Sequence, residues 1–217
     1  MKNILAVWKS FLSDRKQLIV FTVSMTFFFL SGNILTSFLD VAQNRGGFSF
    51  TDPVLSMFQP VNLTWFTFIV IYGGVFLALW LLLKEPAKFA LTAQVFSIVY
   101  FARYFSMYLL PLVAPETIIP LTDPMIGIFA DGKTFTNDLF FSGHTSSIMV
   151  FYLAFRDKKI WGPMFAVFSI TMPAAILLQH AHYTVDVFIA YFIAIAAHAM
   201  VYRMNEKYGI LSIEKKS

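Results

Sequence analysis

The sequence predicts an all-α, polytopic membrane protein: six transmembrane helices in one bundle, with both termini in the cytoplasm. Three observations predict it. The chain is 58% hydrophobic and 13% charged, whereas soluble domains carry about 25% charged residues, so too little polar surface exists to cover a water-facing globule. Six stretches approach the roughly 20 apolar residues that a membrane-crossing helix needs. Lys and Arg sort into alternate loops, as the positive-inside rule requires. The 26 Phe, 9 Tyr and 4 Trp suit lipid-facing and interfacial positions.

The elements follow in order. Ile4, Leu5, Val7, Trp8, Phe11 and Leu12 give a short helix one apolar face. With Lys2 and Lys9 beside it, this helix is suited to lie flat on the cytoplasmic surface; a frayed tail is the alternative. It is not expected to be a cleavable signal, because the first long apolar stretch starts only after Lys16 and lacks a small-residue cleavage site. The six crossings are expected at 17–39, 63–83, 89–113, 139–155, 160–178 and 184–201, the fourth being short. One membrane domain, 17–203, therefore lies between an interfacial segment, 1–16, and a cytoplasmic tail, 204–217.

Charge sets the orientation. Lys2, Lys9, Arg15, Lys16, Lys84, Lys88, Arg156, Lys158, Lys159, Arg203, Lys207, Lys215 and Lys216 fall in one set of segments. The opposite loops hold only Arg45 and Lys133 beside Asp40, Asp52, Glu116, Asp123, Asp131 and Asp138. The first set is expected in the cytoplasm and the loops near 40–62 and 114–138 outside, in the plasma (inner) membrane if the source is bacterial. Because the positive residues sort by membrane side, the net charge of +4 does not indicate nucleic-acid binding. The absence of cysteine excludes disulfides, thiol nucleophiles and cysteine metal sites.

Ionisable groups in or at the edge of a bilayer are functional candidates by default. Here they are Arg103, His144, His180, His182, Asp186 and His198. Ser142-Gly143-His144-Thr145 opens the fourth crossing and His182-Tyr183-Thr184-Val185-Asp186 opens the sixth, so both histidines fall on the non-cytoplasmic side. His182 and Asp186 share one helix face. The carboxylate can fix the ring's tautomer and aim its other nitrogen, which suits a nucleophile or general base. His144 can then exchange a proton on the opposite side of a reacting phosphorus. Ser142, Gly143 and Thr145 stand at a helix N-terminus, where backbone N–H groups favour an anion; Arg103 adds a guanidinium shaped for two phosphate oxygens, and Tyr183, beside His182, joins the phosphate-binding set. Each has a plainer reading: Ser-Gly-His alone is common, the His–Asp pair can be structural, Arg103 can brace the bundle, His180 can be interfacial and His198, at the cytoplasmic end, structural.

At these residues the chain resembles the sphingomyelin synthase branch of the type-2 phosphatidate phosphatase superfamily. That branch reads Cys-Gly-Asp, three residues, then Ser-Gly-His-Thr; here Asp138 and residues 142–145 match, while Thr136 and Asn137 depart. Its second motif, His-Tyr-Thr-x-Asp-Val, three residues, Tyr, is matched throughout by His182 to Tyr191. The stretch from Arg103 to Tyr108, followed by Pro111, looks more loosely like the family's third helix. The phosphatase branch's lysine-containing first motif and the Ser-Arg before its second histidine have no counterpart.

The resemblance implies that His182 is a nucleophile, Asp186 its orienting partner and His144 the acid and base, with Asp138 and, more weakly, Glu116 supporting. It implies transfer of a phospho-head group of the phosphocholine or phosphoethanolamine type from a phospholipid donor to ceramide or a similar lipid alcohol through a phosphohistidine. The alternatives are a phosphatase or phospholipase C-type hydrolase with the same residues, a non-catalytic carrier, and a metal site built from His144, His182 and Asp186, whose ligand types suit zinc. The expectation is that no metal or other cofactor is needed, since histidines, helix ends and Arg103 can handle the charge. A homo-oligomer is left open.

Overall fold

The computed structural model describes residues 3–122 and 135–211. Asp123, Asp131 and Lys133 of the outer-loop charges, and Lys2, Lys215 and Lys216 of the cytoplasmic set, lie outside the described residues.

Among the described residues the regular structure is helical: α1 (Ile4–Ser13), α2 (Arg15–Asn44), α3 (Thr64–Leu82), α4 (Pro86–Leu109), α5 (Gly143–Phe155), α6 (Trp161–Leu178) and α7 (Thr184–Tyr208), with one 3-10 turn at Leu55–Met57 and one isolated bridge between Phe48 and Leu112. Each expected crossing coincides with a helix, and local chemistry explains the shifted ends. α2 starts at Arg15 because the Asp14 carboxylate accepts from the Gln17 N–H at 2.9 Å, an N-cap. α4 starts earlier than expected because Pro86 takes its first turn, where a missing N–H costs nothing. α5 begins at Gly143 rather than 139, with Ser142 as its cap. α7 runs on to Tyr208, so the expected tail from 204 starts within a helix.

α2, α3, α6 and α7 are long and apolar enough to cross a membrane. α4 is 24 residues long but carries Lys88 and Arg103. α5 has 13 residues, a rise of about 20 Å. These last two form the middle of the bundle: α5 packs on α4, α6 and α7, and α2 lies along α4. Ile148, Val150 and Phe155 of α5 meet Leu91, Val95 and Val99 of α4 in the core, with Phe165 and Ile176 of α6. Ala190, Ala194 and Ala197 on α7 are all buried; such small residues let helix backbones approach closely. The outer faces are apolar instead of polar, with Phe27, Phe29, Ile69, Phe76, Phe188 and Phe192 exposed. Only a hydrocarbon solvent makes that arrangement favourable.

The loops sort to two ends of the bundle. At one end the Trp8 indole donates to the Leu83 carbonyl at 2.7 Å, Lys16 donates to the Gly209 carbonyl at 2.6 Å, and Lys158 pairs with Glu85 at 2.6 Å. Trp8 also packs edge-on against Phe11, Phe21 and Phe89, so α1 is docked on α2 and α4. At the other end the α2–α3 loop, residues 110–122, residues 135–142 and the α6–α7 turn meet. Phe48 N–H donates to the Pro111 carbonyl at 3.0 Å and Val113 N–H to that of Phe48 at 3.1 Å. Gly47 permits this approach, since a Cβ there would stand 2.6 Å from the Pro111 oxygen.

Tyr191, which ends the second motif, has a packing role. Pro173 lies inside α6 and cannot donate to the carbonyl four residues back, that of Ser169. The Tyr191 hydroxyl donates to that carbonyl instead, closing a bond across α6 and α7. Tyr191→Phe is expected to cost about 1–3 kcal/mol, the penalty of a buried group left unpaired, measured as a lower unfolding midpoint in detergent.

Candidate active site

The first motif is built around a cap and a glycine. The Ser142 hydroxyl accepts from the Thr145 N–H at 3.3 Å, which fixes the start of α5. Gly143 is the next residue because Arg103 of α4 lies against it: a Cβ at 143 would fall 1.7 Å from Nη1 and 2.9 Å from Cζ of Arg103. Arg103 is buried. Its Nη2 donates to the carboxylate of Asp138 and to the Asp138 carbonyl, both at 2.7 Å. Asp138, expected to support His144, thus has its carboxylate paired with Arg103.

The segment bearing Asp138 is held from α2. The Gln43 side-chain oxygen accepts from the N–H groups of Thr136 at 2.8 Å and Asn137 at 3.1 Å. Asn137 donates back to the Gln43 carbonyl at 3.2 Å and accepts from the Ala114 N–H at 3.3 Å. The two positions that depart from the branch's first motif are therefore the ones clasped by Gln43. Sequence reasoning missed Gln43, which nothing local marks.

His144 lines a cavity of about 220 Å³ with Arg103, Gly143, Ser146, Ser147 and Tyr100, closed on its apolar side by Ile71, Val75 and Val99. The ring edge meets Phe68 at a centroid distance of 6.3 Å. His182 is not part of this lining.

The second motif forms the first turn of α7. Nδ1 of His182 lies 3.0 Å from Oδ2 of Asp186, and since a carboxylate only accepts, this pairing puts the proton on Nδ1 and leaves the lone pair on Nε2. The same Oδ2 accepts from the Tyr183 N–H at 3.2 Å. Asp186 is completely buried and His182 nearly so. Tyr183, expected among the phosphate-binding residues, donates its hydroxyl to the Val113 carbonyl at 3.0 Å and stacks on Phe50 with centroids 4.2 Å apart; this geometry gives it a bracing role. Burial raises its phenol above the ordinary value, with the charges of Asp186, Asp52 and exposed Glu116 adding to the rise.

One backbone bond joins the two motifs: the Ser142 N–H donates to the Asp186 carbonyl at 3.3 Å. Near this junction Arg103 Nε, Thr145 Oγ1 and Asp186 Oδ1 are buried with no protein partner. Native interiors leave few polar atoms unpaired, and those that remain often mark functional chemistry. Among the described residues no three His, Asp or Glu side chains gather as a metal-binding group, so the metal alternative finds no ligand set there.

Two neighbours complete the end of the bundle. His180 Nδ1 lies 2.6 Å from the Thr117 hydroxyl; burial lowers its pKa, against the pull of Asp52. Asp52, which sequence reasoning counted only as an outer-loop charge, accepts from the Thr184 N–H at 2.6 Å and the Thr184 hydroxyl at 3.0 Å. The Asp-Pro pair at 52–53 signals a turn, but nothing local says that the turn reaches α7. Burial pushes the Asp52 carboxyl up, yet the hydrogen bonds from Thr184, Val54 and Leu55 outweigh it and the net shift is downward. A lowered folded pKa contributes stability above the ordinary carboxylate value, and that stability is lost as pH falls through the folded value. Below about pH 4 the unfolding midpoint is expected to fall, and by less in Asp52→Asn; thermal unfolding across pH measures it.

Both motifs fall within residues 136–204, which match the family model described as PAP2 superfamily C-terminal. The chain is also 29% identical over 150 residues to phosphatidylcholine:ceramide cholinephosphotransferase 1 of Gallus gallus, a match covering 57% of this chain and 36% of that protein. It thus spans about a third of the length of the curated relative it matches. Both findings support the resemblance to the sphingomyelin synthase branch of the type-2 phosphatidate phosphatase superfamily.

Proposed function

We propose that this chain, whose residues 136–204 match the PAP2 superfamily C-terminal segment, is a membrane lipid phosphotransferase. It moves a phospho-head group of the phosphocholine or phosphoethanolamine type from a glycerophospholipid to ceramide or a similar lipid alcohol. The relative is named for phosphatidylcholine and ceramide, which supports that pair. The observation that carries the reading is the engagement of His182 Nδ1 by Asp186 at 3.0 Å, which leaves Nε2 to react.

The reaction has two steps. In the first, the Nε2 lone pair of His182 attacks phosphorus, the bond to the diacylglycerol oxygen breaks, and protonated His144 gives its proton to that oxygen. Asp186 stabilises the charge that His182 gains on phosphorylation. In the second, His144 takes the proton of the acceptor hydroxyl, whose oxygen attacks phosphorus while the P–N bond breaks and its electron pair returns to Nε2. Arg103, with the start of α5, neutralises the phosphoryl oxygens. Ser142 and Thr145 set that helix end, and Gly143 makes room for the guanidinium.

The proposed topology has α2 to α7 as six crossings within a membrane domain of 17–203. α1 lies on the cytoplasmic surface, both termini are cytoplasmic, and the site faces the opposite side. The clustering of Trp8, Lys16, Lys84, Lys88 and Lys158 at one bundle end supports this orientation, and α5 crosses with the help of the irregular residues 139–142.

The test is to incubate purified protein with head-group-labelled phospholipids, with and without ceramide, and identify products by mass spectrometry. A phosphosphingolipid that forms only with ceramide supports transfer. Release of head-group phosphate or phosphatidate regardless of ceramide supports the hydrolase reading. No turnover of any phospholipid overturns both.

A further inference from the structure

We infer that Asp52 is a positioning residue for the His182 motif, fixing the first turn of α7 so that Asp186 faces the His182 ring. The inference rests on the functional reading above only for its kinetic effect; the geometry stands by itself.

Asp52 lies on the α2–α3 loop, remote in sequence from the motif, and is 6% exposed. The four hydrogen bonds that its carboxylate accepts divide evenly. The Val54 N–H at 2.9 Å and the Leu55 N–H at 3.3 Å shape its own loop. The Thr184 N–H at 2.6 Å and the Thr184 hydroxyl at 3.0 Å are across the bundle end. Thr184 is the first residue of α7 and stands between His182 and Asp186 in the chain.

Those bonds matter because the Asp186 carboxylate has two claims on one oxygen. Oδ2 accepts from both His182 Nδ1 and the Tyr183 N–H, so the pair that fixes the tautomer depends on where the first turn of α7 sits. The first amides of a helix have no intrahelical partner. Here Asp186 takes that of Tyr183 and Asp52 that of Thr184. Without Asp52 the Thr184 N–H loses its acceptor, the turn can fray, and the ring loses its aim. The loop that carries Asp52 is rigid enough to act as a template: Phe50 stacks on Tyr183, Phe48 is bonded to residues 111 and 113, and Val61 N–H donates to the Leu178 carbonyl at 2.8 Å. A division of labour follows. The N-terminus of α7 is occupied by the chain's own carboxylates, so substrate phosphate is left to the N-terminus of α5 and Arg103.

The experiment compares Asp52→Ala, Asp52→Asn and Thr184→Val, and the Asp52→Ala/Thr184→Val double variant, in steady-state phosphotransfer. Thermal unfolding and ¹⁵N spectra of the four histidine rings, assigned by single substitutions, are recorded alongside. Asp52→Ala is expected to lower kcat by about 100-fold, the scale of a displaced reacting group, with KM little changed. Asn keeps one acceptor oxygen for the Thr184 amide and is expected to restore part of the rate. The double variant is expected to be no worse than Asp52→Ala, because the hydroxyl bond that Thr184→Val removes is already lost once Asp52 is gone. The His182 resonances should move and those of His198, at the far end of α7, should not. Wild-type kcat with unmoved His182 resonances would overturn the inference, as would a rate loss that merely tracks the folded fraction. If Asp52→Ala does not fold, Thr184→Val, which deletes the hydroxyl bond and keeps the amide one, gives the same two readouts with a smaller expected loss. If the wild type turns over no phospholipid, the transferase reading fails, and the histidine spectra alone decide the role of Asp52.

Discussion

His182→Ala is expected to reduce turnover by about 10⁴-fold or more in a protein that still folds, with a lowered unfolding midpoint. Removing one member of a cooperating catalytic unit typically costs that much, because the remaining members cannot act without it. The ring's polar contact is with Asp186, so its loss also removes the partner of a fully buried carboxylate. Asp186→Asn separates orientation from bulk: an amide keeps the volume but can turn its NH₂ toward Nδ1 and favour the wrong tautomer. A loss of about 10⁴-fold is expected there too. Single-turnover assays with labelled donor should find no phosphorylated protein in His182→Ala. In His144→Ala some labelled protein should still form when the leaving group is a good one, since proton donation is then dispensable. Labelled protein in His182→Ala would remove it as the nucleophile.

The second large effect is at Arg103. Arg103→Lys keeps the charge but loses the fork that reaches Asp138 twice through one nitrogen while another nitrogen rests on Gly143. Lysine at such a site is not conservative. A loss of about 100- to 1,000-fold in kcat is expected, the range seen when one donor to a developing charge is removed. Gly143→Ala reaches the same end from the other side of the contact. Its methyl cannot occupy a position 1.7 Å from Nη1, and the guanidinium must leave Asp138 to make room. The two variants should therefore resemble each other in kinetics, and the pair together should be little worse than either. Additive losses would mean that Gly143 and Arg103 act independently.

The parts of this architecture visible in the sequence were those with local or periodic signatures. Apolar length gave the helices, charge by loop gave a partition that the two bundle ends reproduce among the described residues, and helical spacing put His182 against Asp186. The ends of α2 and α4 moved by a few residues because Asp14 and Pro86 act one turn at a time, below the resolution of a hydropathy window. The supporting contacts were hidden because they join residues far apart in sequence. Asp52 reaches Thr184, Gln43 reaches Thr136 and Asn137, and Tyr191 reaches the Ser169 carbonyl that Pro173 leaves without a donor. Each is an ordinary loop or helix residue until the partner is known. Arg103 was legible as a charge in a helix, but its seat against Gly143 needed the helix packing.

The shortness of α5 makes membrane thickness an input to the chemistry. Thirteen residues rise about 20 Å, roughly 10 Å less than the hydrocarbon slab. The Lys88–Asp157 contact at 3.6 Å anchors the turn below α5 to α4, so in the proposed orientation its upper end, with His144, is sunk beneath the plane where outer-leaflet phosphates rest. A donor lipid must descend, or the surrounding leaflet must dip, before phosphorus meets the histidine. Reconstitution into bilayers of increasing acyl-chain length would lift the phosphate plane while the helix keeps its length, turning lipid composition into a throttle on the rate.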